Sequence, residues 1–344
     1  MNIQFIDPTL VSGWDEDILR FPETSFFHSA SWAKVLKESY GYDPEYLTLM
    51  DSGRLTAVLP LMEVSSFITG KRGVSLPFTD YCEVLTVHKE SSNVVFEKLK
   101  QQGGKRGWKY IELRGGTDYL GDVPPYTFFY RHELDLSIGA DKILRNLRDS
   151  TRRNIKKSEK TGVEVRFEGT LDALYEFYRL NCMTRREHGL PPQPFRFFAS
   201  IHEHIISRDR GRVALALHDG KVIAGCVYFH FGRSALYKYG ASDRRFQHLR
   251  SNNLIMWEAI KRYAGEGYGQ FCFGRTEPEN EGLRQFKTGW SATERIINYY
   301  RYDLRKNTFM PAGERISSAA NKLFSNMPIP IARAIGAVLY RHVG

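Results

Sequence analysis

The sequence has few cysteines and no arrangement of them that would bind a metal or build a disulfide framework. Cys82, Cys182, Cys226 and Cys272 are scattered through 344 residues, without a CxxC pair or a neighbouring pattern of histidines. This spacing argues against a zinc site and against a secreted, disulfide-stapled scaffold. We expect the four side chains to be small apolar residues of the core, and we expect no metal.

Long hydrophobic runs are also missing. No apolar segment approaches the roughly 18 to 20 residues that cross a bilayer, and residues 1–20 lack a basic region followed by a hydrophobic one. We therefore predict a cytoplasmic protein. The motifs GxSxG, HExxH and GKS/T do not occur. A chain of this length is expected to form two domains or one large α/β unit.

Positive charge is abundant and unevenly placed. The formal net charge is +10 and the isoelectric point is near 9.3, which favours acidic partners such as nucleic acid, anionic lipid or phosphorylated substrates. Residues 145–160, RNLRDSTRRNIKKSEK, hold seven cations against two carboxylates, an excess of five. Half of the net charge therefore lies in one short segment.

Two β-hairpins are predicted at equivalent places in the two halves of the chain. Tyr46–Val64 and Val213–Phe231 each consist of an apolar run, a turn with glycine and a second apolar run. The turn glycines are Gly53 in the first hairpin and Gly220 in the second.

A helix and a strand follow each hairpin. The predicted helices end at Gly107 and Gly267, and the interval between these two glycines is nearly the same as that between Gly53 and Gly220. An aromatic residue and an apolar strand come next in both cases. Helical segments near residues 29–41 and 171–189 precede the hairpins. The sequence thus predicts a duplicated unit and a mixed α/β fold, in which helices pack on the faces of mixed sheets.

The segment GADKILRNLRDSTRRNIKKSEKTG is predicted to be one helix that ends at Gly162. Its cations would follow one face at three- and four-residue spacing; they are Arg145, Arg148, Arg152, Lys156 and Lys160. A solvated surface helix and a ridge that binds a polyanion both fit this pattern. We predict an N-terminal domain over 1–140, a basic linking helix over 141–162, a C-terminal domain over 163–310 and a helical tail over 311–344. The tail either docks on the protein or contacts a membrane surface.

The stretch FGRTEPENEGLRQFKTGW places a lysine on an apolar helix face. If Asn280 caps this helix, Leu283, Phe286 and Trp290 fall on one buried stripe, and Lys287 lies on the same side. A lysine there either lays its stem on the aromatic rings and reaches water, or holds a positive charge in a site that is poor in water.

Three segments resemble the FemABX family and its relatives encoded beside exopolysaccharide and cell-envelope genes. They are FHSASWAKVLKESYG, LRDSTRRNIKKSEKTGVEV and ENEGLRQFKTGWSATERIINYYRYDL. The likeness covers about residues 20–305. It implies two tandem GNAT-type domains, with the active cleft in the second domain or between the two. Better-known members move an amino acid from aminoacyl-tRNA to an amine on a peptidoglycan precursor.

The resemblance also implies site residues. Phe286 and Lys287 match a Phe-Lys pair in the acceptor cleft, where the lysine is thought to stabilise charge on the reacting carbonyl. Substrate contacts are expected from further residues, which are Trp32, Arg152, Arg153, Asn154, Tyr237, Tyr239, Arg275, Glu279 and Asn280. Since Tyr237 and Tyr239 alternate along a predicted strand, we expect them on one face of it. Glu277, Glu279 and Glu281 are candidates for the base.

The sequence departs from the family pattern at two places. Members that use nucleotide-linked precursors have W-x-x-x-K, whereas Leu36 lies four residues after Trp32 here. No heptad stretch matches the coiled-coil arm that some members use to engage tRNA. For an acyl-CoA donor, the phosphate site would lie at FQHLRSNNLIMWEAI, where Ser251 could cap the helix and Arg250 could meet a phosphate, but the usual glycines are missing.

Three functions stay open at this point. The first is a FemAB-like transferase that moves an aminoacyl group from tRNA to an amine of an envelope, peptidoglycan or polysaccharide precursor, with tRNA or acyl-CoA as a co-substrate and no bound cofactor. The second is an acyl-CoA-dependent N-acyltransferase acting on an amino sugar or glycan. The third is a non-catalytic protein that binds RNA or another polyanion on the same fold. A peripheral contact with the inner membrane surface is compatible with each.

Overall fold

The computed structural model describes residues 2–116, 120–313 and 324–344. The chain forms two compact units. The first consists of Met1–Phe129, Ile296–Ile316 and Val338–Gly344, and the second of Tyr130–Arg295 and Ser317–Ala337. In the described part of the chain, no helix is both long and apolar enough to span a membrane.

Runs of strands and helices follow one another along the chain. The strands are β1 Asn2–Ile6, β2 Tyr46–Asp51, β3 Arg54–Leu59, β4 Met62–Ser66, β5 Gly70–Val74, β6 Leu85–Thr86, β7 Tyr110–Arg114, β8 Thr127–Asp135, β9 Glu164–Glu168, β10 Gly211–His218, β11 Lys221–Phe231, β12 Ser234–Ser242, β13 Gln270–Thr276, β14 Thr293–Asp303 and β15 Thr308–Phe309. The α-helices are α1 Trp14–Ile18, α2 Ala30–Tyr40, α3 Lys89–Arg106, α4 Ala140–Asn146, α5 Asp149–Lys160, α6 Leu171–Glu187, α7 Phe195–His204, α8 Ser251–Gly265, α9 Glu281–Thr288 and α10 Ile329–Val343. The mixed α/β fold expected from the sequence is confirmed.

The first unit contains two sheets. One has the strand order β1-β2-β3-β6, and the other includes β4, β5, β7 and β14 in that order, with β15 pairing with β14. Helix α3 packs Val95 and Leu99 against Leu47, Leu59 and neighbouring side chains of the core. The predicted helix near residues 29–41 is α2, which begins where the Ser29 hydroxyl accepts a hydrogen bond from the backbone N–H of Trp32.

The second unit contains the strands β8, β13, β12, β11, β10 and β9 in spatial order. Only β12 and β13 are parallel in this set; the other neighbours are antiparallel. Trp257, Ile260 and Tyr263 of α8 belong to the core on one face. On the other face, Phe198 of α7 packs against Phe177 of α6, with ring centroids 5.8 Å apart.

The duplication is visible in matched turns and caps. Both hairpins turn through two residues with positive φ, which are Ser52 and Gly53 in the first and Asp219 and Gly220 in the second. In each unit a helix then connects two parallel strands, β5 with β7 and β12 with β13.

The C-terminal caps of these two connecting helices have the same hydrogen bonds. The backbone N–H of Trp108 donates to the Gly103 carbonyl at 3.0 Å, and that of Tyr268 donates to the Tyr263 carbonyl at 3.1 Å. Gly107 and Gly267 have φ of 70° and 83°, as the left-handed cap position requires. Each residue of the second cap follows its counterpart in the first by the same interval, so the glycines recognised in the sequence perform the same structural role twice.

The first copy contains a buried ion cluster on β7. Glu112 is 6% exposed and lies 2.9 Å from the Arg114 guanidinium and 2.8 Å from that of Arg301. Burial alone would raise the pKa of Glu112, but the two guanidinium groups hold it below its usual range. Cys272 of β13 follows Glu112 by the same number of residues as Gly267 follows Gly107, so Cys272 is the residue of the second copy that is equivalent to Glu112. Like Cys82, Cys182 and Cys226, this cysteine is buried, as predicted for all four.

The predicted domain limits need correction. Residues 296–310 belong to the first unit and not to the predicted C-terminal domain, because β14 pairs with β7, so that Tyr299 lies opposite Arg114 and Asp303 opposite Tyr110. The segment 141–162 is not a separate linker either. It lies within the second unit, where Ile155 joins the same core as Trp257.

The basic segment is two helices and not one. Helix α4 ends at Asn146 and α5 begins at Asp149, with Leu147 and Arg148 extended between them at ψ values of 147° and 141°. Leu147 is buried in the core, and the Arg148 N–H donates to the Gly289 carbonyl at 3.1 Å. These tertiary contacts create the break between the two helices. The sequence therefore has no glycine or proline that marks it.

The expected C-terminal helix is present as α10, while residues 314–323 of the predicted tail lie outside the described residues. Ala332, Tyr340 and His342 are buried. The Tyr42 hydroxyl donates to the carbonyl of Arg341 at 3.0 Å. The helix is therefore docked on the protein, which was the first of the two interpretations of the tail.

Candidate functional site

The parallel strands β12 and β13 separate part of the way along their length. Their pairing is limited to Ser234–Leu236 on one strand and Gln270–Cys272 on the other. Both strands continue beyond these residues, to Ser242 and Thr276. The C-terminal ends of the two strands are therefore not hydrogen-bonded to each other. Backbone N–H and C=O groups of such unpaired strand ends are available to bind a ligand.

A bulge shapes β13 just beyond the paired residues. Against β8, the register shifts between Cys272 and Arg275, and Gly274 has a φ of 68°. The Lys287 ammonium donates to the carbonyl oxygens of Gly274 and Arg275, both at 3.0 Å. Lys287 is 2% exposed. Its charge is thus buried and hydrogen-bonded to a strand whose ladder the bulge has interrupted.

Helix α9 positions Lys287. The Asn280 side chain accepts a hydrogen bond from the Leu283 N–H at 3.1 Å, so the cap predicted from the sequence is confirmed. The helix ends at Thr288, and Trp290 follows it instead of continuing the helical stripe. Phe286 still packs against Trp290, with ring centroids 6.0 Å apart. Lys287 is more deeply buried than Phe286, so it does not reach along the rings to water.

A network that the sequence did not reveal lies near Lys287. His132 of β8 is fully buried, and its Nε2 lies 3.0 Å from a carboxylate oxygen of Glu294. Arg284 of α9 donates to both oxygens of Glu294, at 2.7 and 2.6 Å, and lies over the Tyr130 ring at 4.0 Å. Residues 132 and 294 lie on β8 and β14, which are neighbours in the sheet but far apart in the chain, and no motif contains both residues, so no sequence pattern could have joined them.

Electrostatics favour a neutral His132 and an ionised Glu294. Burial lowers the pKa of His132, and the Lys287 charge lowers it further, against the opposing effect of Glu294. The Arg284 hydrogen bonds lower the pKa of Glu294. A neutral imidazole beside a carboxylate must carry its proton on Nε2, because the carboxylate only accepts. Its Nδ1 is then an acceptor, and it has no hydrogen-bond partner among the described residues.

The loop between β13 and α9 holds the predicted carboxylates. The Arg275 guanidinium donates to Glu277 at 3.3 Å, so this pair is engaged within the loop. Glu279 and Glu281 are exposed. The Thr276 hydroxyl is fully buried without a hydrogen-bond partner among the described residues.

The basic helix α5 is fixed to the turn that follows Lys287. Besides the bond from Arg148 to Gly289, the Thr151 hydroxyl lies only 2.6 Å from where a Cβ at residue 289 would be, so a larger residue there would have to displace it. The structure thus brings α5 and the Lys287 helix together. Arg152 donates to the Arg145 carbonyl at 2.7 Å and pairs with Asp149.

Other predicted residues of α5 are more open. Arg153 is exposed, and Asn154 is half-buried. A groove of about 370 Å³ in the second unit is lined by Leu144, Arg145, Arg152, Ile155, Lys156, Glu159 and Trp257, so of the three predicted contact residues on α5 it includes Arg152 but neither Arg153 nor Asn154. Its floor is apolar and its rim carries three cations against one carboxylate.

The expectation that Tyr237 and Tyr239 share a face is wrong. In the pairing of β12 with β11, Tyr239 lies opposite Val227 and Tyr237 opposite Tyr228, so Lys238 is an extra residue without a partner in this pairing. Because neighbouring residues of β11 point to opposite faces of the sheet, the two tyrosines also point to opposite faces. Tyr237 packs against Tyr228 at 5.8 Å in the core beneath α8. Tyr239 packs against Phe198 at 5.7 Å on the other face.

Trp32 belongs to the core of the first unit. It is fully buried, and its indole N–H donates to the Thr79 hydroxyl at 2.9 Å. The structure therefore gives this predicted contact residue an internal, structural role. At the start of α8, Arg250 and not Ser251 occupies the cap position, with a φ of 60° and no side-chain cap bond.

Comparisons with known proteins give a matching domain family for part of the chain and a fold for most of it. Residues 145–288 match the family described as acetyltransferase (GNAT) domain. No curated protein matches the chain in sequence. Among solved structures, FemX is 14% identical with a TM-score of 0.70, over 89% of this chain and 98% of FemX.

Two further structures share the fold at lower similarity. The C-terminal domain of a protein from Agrobacterium fabrum, assigned as a lysylphosphatidylglycerol synthetase, is 14% identical with a TM-score of 0.56, over 83% of this chain and 91% of that domain. A tandem GNAT protein from the clavulanic acid biosynthesis pathway is 10% identical with a TM-score of 0.52, over 88% of this chain and 98% of its own. The expected tandem GNAT-like fold is confirmed.

Proposed function

We propose that this protein, an acyltransferase with a GNAT acetyltransferase domain, moves an aminoacyl group from aminoacyl-tRNA to an amine of a cell-envelope precursor. The amine nitrogen attacks the ester carbonyl carbon, and the bond from that carbon to the ribose oxygen breaks. The amine loses one proton and the ribose hydroxyl gains one. The acceptor class, a peptidoglycan or polysaccharide precursor, follows from the FemABX resemblance.

The attachment of α5 to Gly289 is the observation that carries this proposal. It joins the most basic segment of the chain to the turn that comes directly after the helix of Lys287. A polyanionic donor held on α5 would have its reactive end in the same unit as the buried ammonium. Small acyl donors would not need such an extended positive surface.

Lys287 is assigned an electrostatic role. The tetrahedral transition state carries negative charge on the former carbonyl oxygen, and a fixed positive charge in a site that excludes water stabilises it. Since the ammonium is already held by the carbonyls of Gly274 and Arg275, it needs no reorganisation during the reaction. Phe286 of the same helix, half-buried against Trp290, is assigned a role in shaping the acceptor site, as the FemABX resemblance implies.

The names of two similar structures agree with aminoacyl transfer. FemX gives its name to the family that the sequence resembles, and the name lysylphosphatidylglycerol synthetase denotes transfer of lysine to a lipid. Both structures are 14% identical to this chain. Their similarity supports the fold, and only their names support an aminoacyl donor.

Binding and transfer measurements test the proposal. The protein is titrated with aminoacyl-tRNA, deacylated tRNA and acetyl-coenzyme A, each at about 50 and about 200 mM salt. We expect tRNA affinity to fall steeply with salt, by a factor on the order of 10 or more if several phosphates are contacted. Label from the aminoacyl group should then appear on an amine-bearing muropeptide precursor.

Matched variants locate the binding surface. Arg153→Gln removes an exposed cation of α5, and Lys221→Gln removes an exposed cation at the β10–β11 turn. We expect Arg153→Gln to reduce the salt slope by about one and Lys221→Gln to leave it unchanged. Saturable coenzyme A binding together with salt-independent, weak tRNA binding would overturn the proposal.

An acyl-CoA-dependent N-acyltransferase acting on an amino sugar or glycan is the second candidate. The parted strands β12 and β13 favour it, because an extended donor arm can pair with a free strand edge. The first helical turn of α8 argues against it, since its cap has no glycine and is a left-handed arginine. The coenzyme A titration above decides between the two donors.

A further inference from the structure

The hairpin between β4 and β5 ends in two exposed hydrophobic side chains. Phe67 is 86% exposed and Ile68 is 56% exposed. A single exposed apolar residue is ordinary on a protein surface, but a neighbouring aromatic and aliphatic pair at a hairpin tip presents a compact apolar projection. No sequence motif or part of the proposed reaction accounts for it.

The end of helix α10 lies against this tip. The Phe67 ring is 4.6 Å from the His342 ring, and the Thr69 hydroxyl donates to the His342 carbonyl at 3.2 Å. The buried Arg72 guanidinium donates to the same carbonyl at 3.2 Å. This helix end exposes Val338 and Val343, at 59% and 56%. We name Phe67, Ile68, Val338 and Val343 the apolar tip surface.

Cations surround the apolar tip surface. Lys71, Lys109 and Arg341 are exposed, and the Lys109 ammonium donates to the Thr69 carbonyl at 3.1 Å, directly at the hairpin. Residues 64–74 contain no carboxylate.

The carboxylates that share a cavity with Arg341 are engaged elsewhere. They are Asp43, Glu45 and Glu63. Arg106 pairs with both glutamates, and Lys37 lies 4.0 Å from Asp43. The surroundings of the apolar tip surface are therefore net positive.

We propose that the apolar tip surface docks the first unit onto an anionic phospholipid bilayer. Aromatic and aliphatic side chains flanked by lysine and arginine suit the boundary between headgroups and acyl chains, where the cations meet lipid phosphates. A second copy of the chain fits less well, because its own cations would oppose those around the surface. The docking site goes beyond the proposed function and does not depend on which donor is used.

Vesicle co-sedimentation of the full chain tests the proposal. Vesicles of phosphatidylglycerol with phosphatidylcholine are compared with vesicles of phosphatidylcholine alone. One variant combines Phe67→Ser and Ile68→Ser; a second combines Lys71→Gln and Arg341→Gln. Leu10→Ser is the matched control, because Leu10 is 82% exposed and lies outside the hairpin and α10. Melting temperatures show whether each variant is folded.

We expect the unmodified protein to bind the anionic vesicles, and we expect the Leu10→Ser control to bind them equally well. Loss of both apolar side chains should weaken partitioning at least about 10-fold, and each lost cation should weaken it about fivefold. Equal binding to both vesicle types, or unchanged binding by the Phe67 and Ile68 variant, would overturn the proposal. So would self-association in solution that the same variant abolishes, since a second copy would then occupy the surface.

Discussion

The Lys287 ammonium lies 3.0 Å from the carbonyl oxygen of Gly274, whose positive φ forms part of the bulge in β13. The lysine therefore has a structural role at the bulge in addition to the electrostatic role proposed for it. A buried carbonyl left without a donor destabilises a protein by about 1 to 3 kcal/mol. The two roles can be separated experimentally.

Replacement of Lys287 should affect both stability and rate. For Lys287→Met we expect a loss of roughly 2 to 4 kcal/mol in the free energy of unfolding, because two carbonyls lose their donor. Aminoacyl transfer should fall by about 100-fold or more. Urea unfolding and single-turnover transfer measure the two effects. Lys261→Met, at a partly exposed position on α8, is the control.

Lys287→Arg separates the roles, since it keeps the charge but changes the geometry of the donors. A folded Lys287→Met protein with full turnover would show that the lysine only supports the bulge.

The imidazole of His132 should be neutral at pH 7, with its proton on Nε2. Burial and the Lys287 charge both disfavour the charged form. In Glu294→Gln the pKa of His132 should fall further, because the carboxylate that raises it is gone. Nitrogen-15 NMR of the histidine side chains reports the tautomer, and His132→Gln assigns the signal. A His132 resonance that titrates near pH 7, or a rise of its pKa in Glu294→Gln, would contradict this arrangement.

Gly240→Ala should disturb β12 although the change is small. A Cβ at residue 240 would overlap with the hydroxyl of Tyr237. We expect a loss of about 1 to 3 kcal/mol of stability from this overpacking, partly recovered when Tyr237→Phe is added. Gly282→Ala in α9 meets nothing within 4 Å and should be neutral or stabilising by up to about 1 kcal/mol. Equal effects of the two alanines would rule out the proposed overlap.

The first unit should lose stability as the pH falls from about 6.5 toward 4. Burial lowers the pKa of His28 to about 4, and its neutral ring accepts from the Ser25 N–H and donates to the Glu83 carbonyl. Because the unfolded chain binds the proton more tightly, stability is retained above the unfolded pKa and is lost through this window. The loss reaches about 3 kcal/mol.

Hydrogen exchange of α2 amides at pH 7, 5.5 and 4.5 measures this change. His28→Gln should reduce the slope with pH, whereas a slope as steep as that of the unmodified protein would assign the effect to other groups.

The sequence predicted features that are local in the chain. The hairpin turns, the Asn280 cap and the glycines at residues 107 and 267 each depend on a few adjacent residues, and the structure contains all of them. Comparison of the two halves extended these local signals to a tandem fold. Local signals therefore sufficed for most elements and for the tandem fold, but not for the domain limits, which depend on the pairing of β14 with β7.

Features that depend on tertiary contacts could not be predicted in this way. The break at Leu147 and Arg148 depends on the core and on Gly289, and the bulge at Lys238 depends on the register with β11. The contact between His132 and Glu294 joins strands that are far apart in the chain. Each of these requires knowledge of the neighbouring strand or turn.

The Glu112 cluster shows how the two copies have diverged. Glu112 on β7 of the first copy is a carboxylate held by two arginines. The equivalent residue of the second copy is Cys272 on β13, just before the bulge of that strand. Such a cluster locks its strand in place, and substituting one member would leave a buried charge uncompensated. The two halves thus use this position differently: in the first, a carboxylate cluster fixes β7, and in the second, a buried cysteine precedes the bulge whose carbonyls accept from Lys287.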